Sequence, residues 1–349
     1  MKKWALVNFC EVDKFAEEGY CAIHNVEKSL NLGDITKVDI GSLESVDMIT
    51  HGSPCQDFSA AGLQKGGDKG SGTRSSLIWN SVQIIKKCNP KFVIWENVKN
   101  VLSTKHKHNF DKYIDTMKEL GYISYYKVLN SMDYGIPQSR ERVFCISIRN
   151  DINIGFDFPK KIPLKITLEE CLDFREKDDL TQNFYLRYRL HFGEKSLDEF
   201  IDYINSIPIT GRNISGKKMG LYNFGEMDFI TMPTGLTGTL TCRNVQNYNK
   251  KFWHNNKLYK PSPKMCFKLM GFEDYQYEKC REVIVKDRDL YNRVGNSIVV
   301  DVSFYIYKEL YKIYPEHFED MKLTSLFSGI GAFEVALDRL YNEINQERL

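Results

Sequence analysis

The chain has 349 residues, 42% of them hydrophobic and 27% charged, with a formal net charge of +2. That length suits one large domain or two, and a near-neutral balance neither requires nor rules out a nucleic-acid partner, because local clustering of charge decides that. No apolar run reaches the length of a spanning helix. Asn8, Glu11 and Asp13 interrupt the N-terminal apolar run too early for a secretory signal, and nine cysteines without a CxxC pair suit a reducing cytoplasm and no metal site.

Residues 4–9, 46–52, 91–97, 124–130 and 142–149 read as strands, and 13–26, 76–88 and 110–121 as helices. The alternation predicts an α/β fold with a mainly parallel, doubly wound sheet. The pattern dissolves after Asp151, and residues 160–260 mix weak strands, turns and asparagine-rich stretches. Residues 241–265 carry Arg243, Lys250, Lys251, Lys257, Lys260 and Lys264 without an acid, interleaved with Tyr248, Phe252, Trp253 and Tyr259. This mix suits a nucleic-acid surface, with a solvated loop region and a few core aromatics as the alternative. Helical patterns return from Pro263, clearest at "SFYIYKELYKIY", and the chain closes on strand, glycine turn and helix in "KLTSLFSGIGAFEVALDRL".

In that last stretch Gly329 and Gly331 let backbone N–H groups and a helix N-terminus approach a ligand closely, which on its own fits a dinucleotide, another nucleoside cofactor or no ligand at all. The strand that should follow, ending in an acid for ribose hydroxyls, is missing there. The opening strand runs into Glu11, which would follow Gly331 by 29 positions if the two ends were adjacent; the dinucleotide fingerprint uses about 20. An ordinary surface acid is the alternative. Asp34 in "LGDIT" ends a third strand or its turn, where a carboxylate accepts a hydrogen bond from an exocyclic amine; otherwise it is simply a turn residue.

Cys55 lies in a Pro-Cys turn behind a strand, where open α/β sheets place ligands and a thiol can be activated. Five glycines from Gly62 to Gly72 follow it in a loop suited to closing over a substrate. Glu96 in "IWENV" ends another strand on the same edge, placed as an acid or as a partner for a ring nitrogen. Arg140 and Arg142 in "PQSRERVF" are two apart, so one strand would aim both guanidiniums into one site. A solvated edge pair is the alternative.

In this order the motifs resemble those of the cytosine-C5 DNA methyltransferases. "GSPCQDFS" is similar to the family's nucleophile loop, "WENV" to its Glu-Asn-Val motif and "QSRER" to its Gln-x-Arg-x-Arg motif. "YKPSPKMCFKLMGFED" resembles the segment after target recognition, where "TGLTGTLTC" fits the end of that region. "VGNSIVVDV" resembles the last motif and "FSGIGAFE" the first, the cofactor turn. The resemblance implies a Rossmann-like S-adenosylmethionine-dependent methyltransferase domain with a smaller, irregular target recognition domain: residues 1–160, 161–260, and a return at 261–349. It implies S-adenosylmethionine held by Phe327, Gly329, Ile330, Gly331, Glu11, Val12, Asp34, Ile35, Pro54, Leu77, Asn296 and Ile298. Val12 stands where the family often has a larger residue over the adenine. It implies catalysis by Cys55, Glu96, Arg140 and Arg142 on a cytosine flipped out of double-stranded DNA. The enzyme would be cytoplasmic and monomeric, serving a restriction-modification system or a phage. The alternatives are methylation of tRNA and a swapped dimer. The family's order departs here, because the cofactor motif comes last, so the chain reads as circularly permuted between its first helix and second strand. "MKLTSLFSGIGA", beginning at Met321, resembles an ordinary start for such a protein.

Overall fold

The computed structural model describes residues 3–58, 66–188, 196–206, 229–231, 236–241 and 250–347. They form two compact units: Met1–Asn130 with Glu141–Lys161 and Val300–Leu349, and Ser131–Arg140 with Ile162–Val299. Residues 262–299 thus cluster with the segment expected to be irregular, and Ser131–Arg140 joins them.

The first unit is built on a six-stranded sheet. Its strands are β1 (Trp4–Cys10), β2 (Met48–His51), β3 (Phe92–Val98), β4 (Tyr122–Asn130), β5 (Glu141–Arg149) and β6 (Met321–Leu326). Their spatial order is β1-β6-β2-β3-β5-β4. The first four in space run parallel, so their carboxyl ends share one edge. β5 is antiparallel to β3 and to β4, which makes the sheet mixed at that side. No third strand ends at Asp34; that stretch meets the sheet through a single bridge between Phe9 and Asn31.

Alternation along β3 sorts the core. Val93 and Trp95 join the cluster formed with helices α2 (Ile78–Cys88) and α3 (Lys107–Glu119). Phe92 points the other way, its ring 5.3 Å from that of Tyr314. Burying a side chain of this size contributes about 1.5–3 kcal/mol. Helix α1 (Lys14–His24) is started by Asp13, whose carboxylate accepts from the N–H groups of Phe15 and Ala16, and stopped by Asn25 in a left-handed conformation. Helix α4 (Val300–Ile313) leads back to the sheet, and helix α5 (Ala332–Gln346) follows β6. Among the described residues no helix is long and apolar enough to cross a membrane.

The second unit holds helices Thr181–Tyr188 and Leu197–Ser206 beside a hairpin of strands Lys250–His254 and Lys257–Tyr259. Asn255 and Asn256 both take positive φ at its tip, the chemistry of a two-residue hairpin turn. Phe184, Phe200, Ile204, Trp253 and Leu258 form its apolar cluster.

The basic stretch reads differently in three dimensions. Phe252 and Trp253 are buried core aromatics. Lys257 pairs with Asp179 at 3.2 Å, Lys260 with Asp178 at 3.3 Å, and Lys264 with Asp274 and Glu278 at 3.2 Å. Acids absent from 241–265 arrive from other segments, so much of this charge is locally compensated. Gly62, Arg243, Tyr248 and part of "TGLTGTLTC" lie outside the described residues.

Candidate active site

The carboxyl edge of the parallel strands gathers the chemistry of the first unit. β6 ends at Leu326 and the chain turns through Phe327 (φ 54°), Gly329 (φ 58°) and Gly331 (φ 79°) into α5. A left-handed aromatic residue is uncommon and costs roughly 1–2 kcal/mol. A Cβ on Gly329 would meet no described atom within 4 Å, so the turn is open there. A Cβ on Gly331 would overlap the imidazole of His24, the last residue of α1. The residue is half-buried, and desolvation of its ring pushes the pKa down to about 4. Its Nε2 lies 3.3 Å from the Ile330 carbonyl, which can only accept, so this nitrogen carries the proton.

Glu11 follows β1 directly. Its Oε2 accepts from the Gly329 N–H at 2.9 Å, and its Oε1 from the N–H groups of Val12 and Asp13 at 2.9 and 2.8 Å. Burial raises its pKa against the pull of these donors. Asn31, which no sequence motif marks, grips both the N–H and the carbonyl of Glu11. Val12 is 72% exposed beside it. Asp34 sits in a turn with its carboxylate on the Thr36 N–H and hydroxyl, which lower its pKa. The Cys10 thiol ties that turn to β1 through the Gly33 carbonyl, and Ile35 is buried in the core.

β2 ends at His51, and Gly52–Cys55 turn outward from it. The Ser75 hydroxyl donates to the Pro54 carbonyl at 2.8 Å, and Ser75 also exchanges two hydrogen bonds with Asp57. The Cys55 thiol is half-buried. Leu77, just beyond Ser75, packs on the core from its rim. Glu96 is 8% exposed, and Arg142 Nε lies 3.1 Å from its Oε1. The β3–β5 register explains that pairing: Arg142 is opposite Val98, so Glu96 is its diagonal neighbour on the same face.

Arg140 does not continue that strand; it falls in the break between Gln138–Ser139 and β5. Its buried guanidinium donates to the carbonyls of Leu240 at 2.8 Å and Ser297 at 2.7 Å, within the second unit. The expected side-by-side pair of arginines is therefore replaced by one arginine on Glu96 and one loop clamp. Asn296 and Ile298 lie in the same second unit, Asn296 as the last residue of helix Asp287–Asn296. Among the described residues no cluster of His, Cys, Asp or Glu is suited to a metal ion.

A buried acid backs the glycine turn. Glu334, in the first turn of α5, accepts from the Tyr20 hydroxyl at 3.0 Å, and burial pushes its pKa up to about 7. Asp338 is also raised by burial and accepts from Trp4. Because the folded state holds the Glu334 proton more tightly than the unfolded one, stability is full below about pH 4.5. It falls as pH rises and levels off above about pH 7. The loss is on the order of 3 kcal/mol. Glu334→Gln is expected to flatten that slope in urea melts from pH 5 to 8; an unchanged slope refutes the assignment.

Together, this sheet and its glycine turn define the fold of the S-adenosylmethionine-dependent methyltransferases. The solved S. pombe Dnmt2 methyltransferase superposes with a TM-score of 0.60 at 16% identity, over 88% of this chain and 91% of that one. The chain belongs to the C-5 cytosine-specific DNA methylase family, whose profile matches residues 1–312. It is 36% identical to Type II methyltransferase M2.ScrFI of Lactococcus lactis subsp. cremoris, over 81% of this chain and 71% of that protein. It is 32% identical to Type II methyltransferase M.HhaI of Haemophilus parahaemolyticus, over 85% and 84%. The protein is therefore a DNA (cytosine-5-)-methyltransferase.

Proposed function

We propose that the enzyme methylates C5 of a cytosine flipped out of a specific double-stranded DNA sequence, through a covalent bond between Cys55 and C6. The observation that carries this reading is the common edge: the Cys55 loop, the Glu96–Arg142 pair and the glycine turn all stand at the carboxyl ends of neighbouring strands. Extrusion of the base costs a few kcal/mol of stacking and pairing. The Cys55 thiolate adds to C6 and pushes the electron pair into the ring. Glu96, acting as an acid, donates to N3 and accepts from the exocyclic amine, and Arg142 donates to O2, so the negative charge that builds on the ring is met by donated hydrogen bonds. C5 then takes the methyl group, its proton leaves to a base, and the Cys55–C6 bond breaks.

S-adenosylmethionine supplies the methyl group. The residues fit it: Gly329 has open space, Glu11 keeps a lone pair beyond its three N–H partners, and Val12 is exposed beside them. Phe327, Ile330, Gly331, Asp34, Ile35, Pro54 and Leu77 complete the first unit's share; Asn296 and Ile298 are assigned to the cofactor by the family resemblance alone. Residues 161–260 serve target recognition, with Arg140 clamping its loops.

The chain is read as circularly permuted. β6, late in the chain, is the parallel neighbour of β1 and is followed by α5. The family match ends at 312, before β6 begins. A chain with 321–349 moved ahead of Met1 through a linker is expected to keep its activity; an insoluble or cofactor-blind product would count against the permutation.

The enzyme serves a restriction-modification system or acts as a phage or orphan methylase. Bisulfite sequencing of host DNA with and without the protein tests the reaction and reads the target. Parallel methyl transfer to DNA and tRNA decides the substrate, and methylation of tRNA alone would overturn the proposal.

A further inference from the structure

We propose that Ser53 is a positioning residue for the Cys55 thiol, setting its distance from Glu96 through a hydroxyl held by two donors of β3. Between the end of β2 and Cys55, Pro54 has no N–H to give, the Gly52 N–H makes only a long 3.4 Å bond to Leu326, and the Ser75 hydroxyl holds the Pro54 carbonyl from the other side. Ser53 supplies the missing hold. Its buried Oγ accepts from Trp95 Nε1 at 3.0 Å and from Asn97 Nδ2 at 3.2 Å, and its carbonyl accepts from Asn97 Nδ2 at 3.1 Å.

The donors are well chosen for rigidity. Trp95 is fully buried, its ring 4.5 Å from Tyr113 and 5.7 Å from Phe110. Strand alternation places Trp95 and Asn97 on one face of β3 and Glu96, between them, on the other. Three consecutive residues thus divide the work: the outer two grip the nucleophile loop and the middle one meets Arg142. The spacing of Cys55 and Glu96 is then set over a short path of stiff groups. Removing the hydroxyl leaves the buried Trp95 N–H without its acceptor and cuts the grip of β3 on Ser53 to one backbone carbonyl. A displacement of about 1 Å at a reacting atom costs roughly 100-fold in rate.

The test follows kcat and binding separately, on a duplex carrying the site found by bisulfite sequencing. Ser53→Ala is expected to lower kcat by about 10- to 100-fold, while affinities for the duplex and for S-adenosylmethionine stay within about twofold. The rate of covalent capture by the same duplex with 5-fluorocytosine at the target should fall in parallel. Trp95→Phe should lower kcat less, and the double variant should be no slower than Ser53→Ala. Wild-type kcat in Ser53→Ala, a loss confined to binding, or additive losses would overturn the proposal. If Ser53→Ala does not fold, Trp95→Phe decides alone, and an unchanged kcat refutes it. The inference rests on Cys55 as nucleophile, so the wild type is captured first. Failure there sinks that reading, whereas equal capture rates for wild type and Ser53→Ala sink only the positioning role.

Discussion

Cys55→Ala is expected to bind duplex DNA and S-adenosylmethionine as the wild type does and to lose turnover by about 10⁴-fold or more. The side chain is small and half-buried, in a loop that Ser53, Pro54 and Asp57 anchor. Deleting its sulfur therefore removes chemistry and leaves the fold. In the proposed mechanism, what disappears is the electron pair that makes C5 nucleophilic; positioning by Glu96 and Arg142 would not replace it, because neither adds to C6. Single-turnover transfer of labelled methyl groups, with duplex binding measured alongside, separates the two effects. A Cys55→Ala protein that methylates at the wild-type rate would remove the covalent step from the mechanism.

The second large effect is expected at Gly331. Alanine there must adopt φ near +79° and place a methyl group inside the His24 imidazole. The backbone term is about 1–2 kcal/mol and the overpacking term about 1–3 kcal/mol. Gly331→Ala should lower thermal stability accordingly and abolish measurable binding of S-adenosylmethionine, because the displaced backbone belongs to the turn that carries Gly329. Gly331→Ala with His24→Ala relieves the overlap but not the φ, so it should recover part of the stability. Calorimetry on the four proteins of the cycle measures this. If the double variant is no more stable than Gly331→Ala, the overlap is not the cause.

The strands were legible because their β-branched and aromatic runs alternate with clean helical patterns, and a parallel arrangement follows from that alternation. Cys55, Glu96 and Glu11 were legible as strand-end residues for the same reason. The antiparallel insertion of β5 was not, since nothing in Glu141–Arg149 distinguishes the direction in which it pairs. Nor was the fate of Arg140: the i, i+2 rule assumes an unbroken strand, and the break falls at that residue. The partners of the lysines near 257–264 were not legible either, because their acids at 178, 179, 274 and 278 are distant in sequence. His24 and Asn31 carry no motif, and Glu334 is only the last residue of one; what each does shows only in what packs against it. The bond from Gly329 to Glu11 spans 318 positions, beyond the reach of any local pattern.

The place of β6 in the sheet also governs how the protein is made. It fills the gap between β1 and β2, yet Met321 leaves the ribosome long after Trp4 and Met48. Until then the parallel half of the sheet has two bare edges facing each other, and unpaired edges of this kind invite pairing with other chains. The contacts that complete it are among the most distant in the sequence, which slows folding. The glycine turn is thus assembled after the Cys55 loop: a nascent chain arrested before residue 321 carries that loop but neither β6 nor the turn, and the parallel edge is complete only when the sheet is sealed.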